Sequence, residues 1–110
     1  MPANESLARR VREALAPLGG VEEKRMFGGL AFLLDGHMAV AVSGQGGLLL
    51  RIDPTRSDEL VADPHVGRMV MRGREMDGWL HVEPAAVDTE ERLTHWVGLG
   101  VTYVRTLPPK

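Results

Sequence analysis

The dipeptide Asp35-Gly36 most constrains the fold, because it separates two short apolar segments. Residues 30–34 and 38–42 flank it, and an Asp-Gly pair in that setting is typical of a two-residue β-hairpin turn. The sequence therefore predicts an antiparallel hairpin here. Side chains alternate between the two faces of a strand. In the second strand Met38, Val40 and Val42 are predicted on one face, and His37, Ala39, Ala41 and Ser43 on the other.

The apolar spacing on either side of this hairpin predicts helices and further strands. Apolar residues recur at helical spacing over residues 5–17, and that spacing ends at Gly20. Residues 21–34 are predicted as one long strand with a bulge at Gly28-Gly29, because glycine inside a strand often marks a bulge. The remaining predicted elements are a strand over 48–52, a short helix from Asp53-Pro54 to about Ala62, a strand over 66–72, a polar loop over 73–78, a strand over 79–83 and a helix from Asp88 onward.

These elements predict a two-layer α+β fold in the order α-βββ-α-ββ-α, with helices covering one face of an antiparallel sheet. The 110 residues have room for a single domain, residues 1–110, with one core. Gly98 and Gly100 are unfavourable inside the last helix, so they predict a close contact between that helix and the sheet.

Composition excludes several classes of chemistry. The chain has no cysteine, which excludes disulfides and thiolate chemistry, and its formal net charge of −2 does not favour non-specific attraction to nucleic acid. No apolar segment approaches the ~18 residues that span a bilayer. The first residues show no export pattern. We therefore expect a cytoplasmic protein without membrane contact.

Side chains that could catalyse a reaction or bind a metal are scattered along the chain. The four histidines share no short ligand spacing, so we expect solvated surface residues. They are His37, His65, His81 and His95. We predict no enzyme activity, no metal and no cofactor. A small enzyme is the second alternative, and it would require His37 or His81 to meet a carboxylate in a cleft.

Arginine-containing segments provide the nucleic-acid signal in this sequence. They are Arg9-Arg10-Arg12, Lys24-Arg25, Arg68 and Arg72-Gly73-Arg74. Aromatic residues make up 5% of the chain, which leaves little for base stacking. We expect a solvated charged surface, and direct DNA or RNA binding is the alternative function.

Strand alternation predicts a mixed second face of the sheet, on the side away from the helices. Its members are Ala39, Ala41, Leu49, Val70 and Trp79 beside His37, Arg51, Arg68, Arg72 and His81. A solvated face is normally more polar, so we predict a homodimer or protein-partner contact there. The alternative is that a bulge in one or two strands changes the faces. The candidate interface residues are Trp79, Val70, Arg68, Arg72, Leu49 and Arg51, with Trp79 as the anchor.

The segment Arg25-Met26-Phe27-Gly28-Gly29, followed by residues 30–39, resembles the N-terminal domain of the TfoX/Sxy family of bacterial competence regulators. The resemblance spans most of the chain and implies a stand-alone domain of this type with a non-enzymatic regulatory or adaptor role. Regulators of this family act as transcriptional co-activators with a cyclic-AMP receptor protein, and they also carry a C-terminal helical domain. We expect the motif residues Arg25, Met26, Phe27, Gly28 and Gly29 to be structural.

Overall fold

An antiparallel sheet forms one layer of the domain and the helices form the other. The computed structural model describes residues 5–26, 29–43, 46–71 and 73–108. Over these ranges the sheet has six strands in the order β1-β2-β3-β4-β6-β5. The helices are α1 (Glu5–Leu15), α2 (Ser57–Leu60) and α3 (Glu90–Val104). The strands are β1 (Val21–Met26), β2 (Gly29–Leu34), β3 (His37–Val42), β4 (Leu48–Arg51), β5 (Val66–Met71) and β6 (Arg74–Val82).

The main core lies between the helices and one face of the sheet. α3 lies across β3 and β4 and also contacts α1. The apolar stripes of both helices meet side chains from β2, β3, β4 and β6. Fully or nearly fully buried members include Val11, Leu15, Phe32, Val40, Val42, Leu50, Leu80, Leu93, Val97 and Val101. The predicted α+β class, with helices on one face of an antiparallel sheet, is confirmed.

Local capping sets where two of the helical segments begin. The Asp53 carboxylate accepts hydrogen bonds from the Thr55 backbone N–H at 2.9 Å and the Thr55 hydroxyl at 2.7 Å. It therefore caps the 3-10 turn Pro54–Arg56 that precedes α2. α3 is capped by Thr89, whose hydroxyl accepts from the Arg92 backbone N–H, so the helix begins two residues after the predicted start at Asp88.

The Asp35-Gly36 hairpin is confirmed. Leu34 pairs with His37, and Asp35 and Gly36 both have positive φ, 52° and 84°. Two positive values favour the turn whose twist matches a β-hairpin.

Residues 21–34 form two strands, so the single bulged strand was a wrong prediction. Met26 pairs with Gly29, and the register continues to Val21 opposite Leu34. The chain therefore reverses direction between Met26 and Gly29, and four strands precede α2 where three were predicted. Phe27 and Gly28 lie outside the described residues. Glycine pairs mark hairpin turns as well as bulges, and the charged centre of β1 suits a strand at the end of a sheet.

A β-bulge in β3 changes which side chains share a face. Phe32 pairs with Val40, whereas the next residue, Leu33, pairs with Met38, so Ala39 is the extra residue. Ala39 and Val40 consequently both belong to the main core, and Met38 lies on the opposite face. The predicted faces are therefore wrong for His37, Met38 and Ala39.

The last hairpin is longer than predicted. β6 begins at Arg74, so most of the predicted polar loop over 73–78 belongs to a strand. The register breaks because Arg68 pairs with Leu80 while Met69 pairs with Met76. Three extra residues of β6 lie between these partners. We call the end beyond the break, residues 69–71 and 74–76, the arm.

Candidate interaction surface

The sheet face opposite α1 and α3 carries a second, smaller apolar cluster. Its five buried members are each at most 8% exposed: Ala31, Leu33, Met38, Ala41 and Leu49. Met69 and Trp79, which are half-buried, pack against them. The chain thus covers much of this face with its own β5 and β6 side chains. Much of the mixed face that the sequence predicted as a partner contact is therefore a second core within the chain.

Trp79 is held by a neighbouring arginine. Arg51 lies opposite Trp79 in the β4–β6 ladder, and its guanidinium carbon is 5.3 Å from the Trp79 ring centroid. The same carbon is 5.9 Å from the ring centroid of Tyr103 on α3. Each cation–π contact at an exposed site contributes about 0.5–1 kcal/mol. Arg51 therefore contacts both Trp79, which covers the second cluster, and Tyr103 in the helix layer.

Val70 is the large apolar residue that the described part of the chain leaves exposed, at 60%. It lies in the arm and pairs with Glu75 across the hairpin. Its neighbour Met69 packs against the second cluster, so alternation directs Val70 to the helix side of the strand. The helices do not reach far enough along β5 to cover it.

Arg68 also lies on the helix side, which corrects its predicted face. Its register partner Leu80 belongs to the main core, and its guanidinium pairs with Asp58 of α2. Arg72 lies outside the described residues. The candidate interface residues therefore divide into two sets. Leu49, Trp79 and Arg51 are associated with the second cluster, whereas Arg68 and Val70 lie on the helix side of β5.

The family-like motif is placed at the β1–β2 hairpin. Arg25 is exposed and pairs with Leu30, and Met26 pairs with Gly29. Within the described part of this segment, Arg25, Met26 and Gly29 take part in strand pairing, and the structural role of the motif stays a prediction. Phe27 and Gly28 lie outside that part.

The histidines occupy four separate environments. His37 is only 8% exposed, and its Nε2 lies 2.6 Å from the Pro108 carbonyl oxygen, so the prediction of a solvated residue is wrong for it. His81 Nε2 lies 2.9 Å from the Gly46 carbonyl oxygen. His65 Nδ1 lies 4.0 Å from a Glu83 carboxylate oxygen, and the His95 ring meets Trp96 edge-on. No group of three metal-ligating side chains occurs among the described residues.

Carboxylates face many of the arginines. Arg12 donates to both carboxylate oxygens of Glu23 at 2.6 and 2.8 Å, which ties α1 to β1. These hydrogen bonds hold the pKa of the Glu23 carboxyl below its ordinary value. The further pairs are Arg10–Glu90 at 2.9 Å, Arg56–Glu59 at 3.0 Å and Arg92–Asp88 at 3.7 Å.

An open cleft of about 430 Å³ runs along α3 beside the Pro54–Arg56 turn. Asp53 and Arg56 supply its charged groups, and His95, Thr102 and Tyr103 contribute from the helix. Both charged groups already serve local structure, since Asp53 caps the turn and Arg56 pairs with Glu59. The cleft is therefore a polar surface feature between two elements.

Sequence reasoning placed Ala41, Leu49 and Trp79 on this face but missed Leu33 and Met38. Leu33 reaches the face by simple alternation along β2, whereas Met38 reaches it because of the bulge at Ala39. The sequence around Ala39 carries no glycine or proline that would signal a bulge. Asp58 was also missed as the partner of Arg68, because α2 and β5 approach each other only in the folded chain.

One comparison with known proteins agrees with the motif-based resemblance. No curated protein matches the chain. None of the helices in the described ranges is long and apolar enough to cross a membrane. A family model described as the TfoX N-terminal domain matches residues 13–103, which include every strand, α2 and nearly all of α3. The chain belongs to the TfoX N-terminal domain family.

Proposed function

We propose that this domain is a non-enzymatic regulatory module that acts in the cytoplasm through protein–protein contacts, as a competence-regulator-like member of its family. The observation that carries the proposal is the exposure of Val70 in the arm, where 60% of the residue is accessible. On the other side of the sheet, the half-buried Trp79 is stacked with Arg51 and gives further support. Exposed apolar side chains occur at interaction sites, and tryptophan and arginine are enriched in binding hot spots.

The engagement of the charged groups supports a role without catalysis. Glu23 is held by Arg12, Asp53 caps a turn, and Arg56 is paired with Glu59. Catalytic carboxylates are typically placed in clefts where burial or a like charge perturbs their pKa upward. In the α3 cleft, by contrast, hydrogen bonds from Thr55 lower the pKa of Asp53.

The ion pairs also favour a protein partner over nucleic acid. Phosphate binding depends on basic side chains that can release counterions from the phosphate backbone. Among the described residues, five arginines instead lie within 3.7 Å of a carboxylate oxygen. The pairs are Arg10–Glu90, Arg12–Glu23, Arg56–Glu59, Arg68–Asp58 and Arg92–Asp88.

Site-specific photo-crosslinking in the source cells tests the proposal. A photoreactive amino acid replaces Val70 in the arm, and a matched control places it at Glu13, an exposed position on α1. We expect position 70 to give covalent adducts with a small set of proteins, identified by mass spectrometry, and position 13 to give none of that set.

A transcript comparison provides the regulatory readout. Cells that express Val70→Lys should lose the transcript changes that the wild-type chain produces, and cells that express Glu13→Lys should keep them. Adducts shared equally by both positions would contradict the proposal. So would retention of a DNA duplex in a mobility-shift assay at about 10 µM protein and low salt, which would favour the nucleic-acid alternative.

A further inference from the structure

The two ends of the sheet present very different strands. β1, at one end, carries four consecutive exposed charged residues, Glu22 to Arg25. β5, at the other end, reads Val-Gly-Arg-Met-Val-Met and contains a single charge. Charged side chains on an end strand discourage pairing with another chain, whereas an apolar end strand invites it. β1 is therefore protected against strand addition, and β5 is not.

The alternation of backbone hydrogen bonds along β5 directs the N–H and C=O groups of Val70 toward the open edge of the sheet. The Glu83 N–H donates to the His65 carbonyl oxygen at 2.9 Å, so residue 65 directs its backbone toward β6. The extra residues of the register break lie in β6, and β5 itself keeps a regular alternation. Odd-numbered residues of β5 consequently bond to β6, and the N–H and C=O of Val70 point away from it.

Backbone direction and side-chain exposure coincide at Val70. Its backbone groups are at the outer edge of the sheet, and its side chain is 60% exposed. An added strand would satisfy the backbone groups and cover the side chain together. The arm is thus suited to strand pairing.

We propose that β5 of one molecule pairs with β5 of a second copy, antiparallel across a two-fold axis, so that one continuous sheet runs through both molecules. This inference rests on the proposed function of the arm as a protein-contact surface, and it names the partner. An antiparallel pair of identical strands is self-complementary, as a two-fold interface requires.

The charge distribution of β5 favours a second copy as the partner and favours one register of the paired strands. Arg68, the single charged residue of β5, already pairs with Asp58 of α2. The edge therefore favours an apolar strand, such as β5 itself, as its partner. An axis at Met69 sets Val70 of each copy opposite the aliphatic stem of Arg68 in the other. An axis at Arg68 would instead set two guanidinium groups opposite each other, which is unfavourable.

The interface is small, and this fixes the expected strength of the dimer. One pair of six-residue strands buries less than the roughly 1,200 Å² of a standard interface. We therefore expect a dissociation constant of the order of micromolar or weaker.

Sedimentation equilibrium of the full chain tests the inference. From about 1 µM to about 1 mM protein, the mass should rise from 12.0 kDa toward twice that value. Val70→Lys, on an exposed side chain, should weaken association at least about tenfold, because a charge at an edge opposes pairing. The matched change Lys24→Glu on β1, which keeps a charge at this exposed position, should leave the mass profile unchanged.

Cysteine cross-linking tests the register, with no background because the chain has no cysteine. Directly opposed residues of an antiparallel pair lie about 4.5–5.5 Å apart between Cα atoms, which suits a disulfide. Met69→Cys should form a covalent dimer on mild oxidation, and Lys24→Cys should not. A wild-type chain that remains monomeric to about 1 mM and a Met69→Cys variant that does not cross-link would overturn the inference.

The two proposals fail separately. A monomeric chain whose position-70 photoadducts contain other proteins overturns the second-copy inference and leaves the protein-contact function standing. Self-adducts at position 70 together with a concentration-dependent mass support the inference. A monomeric chain without specific adducts removes both.

Discussion

Gly100 is the residue at which α3 comes closest to the sheet. A Cβ atom at this position would lie 2.5 Å from the carbonyl oxygen of Ala39, the bulged residue of β3. Backbone cannot move aside as the end of a flexible side chain can, so glycine is required here. At Gly98, two residues earlier, a Cβ would meet no atom within 4 Å. Of the two glycines that the sequence singled out, only Gly100 marks the close contact.

We predict opposite effects of alanine at these two positions. Gly100→Ala should lower the free energy of unfolding by about 2 kcal/mol or more, because α3 must move away from β3. Gly98→Ala should raise it by up to about 1 kcal/mol through helix propensity. Urea denaturation of the two variants and the wild type measures both changes. Equal changes in the two variants would contradict the contact at Gly100.

Among the elements, β6 has the most varied role. Its C-terminal half pairs with β4 in the sheet, its middle is displaced by the register break, and its N-terminal part forms the arm. Gly78, within the break, accepts from the Ile52 N–H and donates to the Ser57 hydroxyl. The break is therefore anchored to the start of α2, and this anchoring positions Trp79 over the second cluster.

Truncation of Trp79 should therefore uncover the second cluster. Trp79→Ala should lower the free energy of unfolding by about 2 kcal/mol, less than for a fully buried tryptophan because the ring is half-exposed. Trp79→Phe keeps most of the apolar cover and should lower it by less than about 1 kcal/mol. Chemical denaturation compares the two variants. Equal losses in both would show that indole-specific contacts, such as that with Arg51, dominate over cover.

The sequence was sufficient for elements whose signals are local. The Asp35-Gly36 turn, the apolar stripes of α1 and α3, and the Asp53-Pro54 helix entry each reflect interactions within a few residues. The α+β class follows from their order.

Features that depend on pairing between distant residues could not be predicted. The bulge at Ala39 is defined only against Phe32 and Leu33 of the neighbouring strand. The polar sequence at the start of β6, residues 74–77, was typical of a loop, because a two-stranded arm in solvent needs no alternating apolar pattern. The sequence placed Trp79 and Val70 on one face of the sheet, whereas the structure divides them between its two sides.

Across the whole molecule, ion pairs join the helix layer to the sheet. Arg12 and Glu23 connect α1 to β1, and Arg68 and Asp58 connect β5 to α2. Surface pairs contribute little individually, typically 0–1 kcal/mol. For the Arg12–Glu23 pair, the lowered pKa of Glu23 makes stability depend on pH.

Glu23 should contribute to loss of stability in acid. Because Arg12 lowers its pKa in the folded chain, the unfolded chain binds more protons in the ordinary carboxylate range. Its stabilising contribution is present above that range and is lost as the pH falls through it toward the lower folded pKa. Glu23→Gln should therefore show a smaller fall in Tm between about pH 7 and about pH 3 than the wild type.

A second background provides the control for this pH dependence. In Arg12→Gln the pKa of Glu23 is no longer lowered by the guanidinium. Adding Glu23→Gln to this variant should therefore change the dependence of Tm on pH less than it does in the wild type. Scanning calorimetry of the four proteins completes the cycle. An identical pH profile for all four would contradict a role for this pair.

The charged sequence of β1 has a consequence for how far assembly can proceed. Because only one end of each sheet accepts a strand, each molecule can pair with only one other molecule. After two molecules join through β5, each outer end of the shared sheet is a β1 strand with four exposed charges. Growth then stops, since a third copy meets a surface that resists strand addition. The charged side chains of β1 resemble an ordinary solvated surface. They thus limit assembly to a closed dimer and prevent an open-ended fibre.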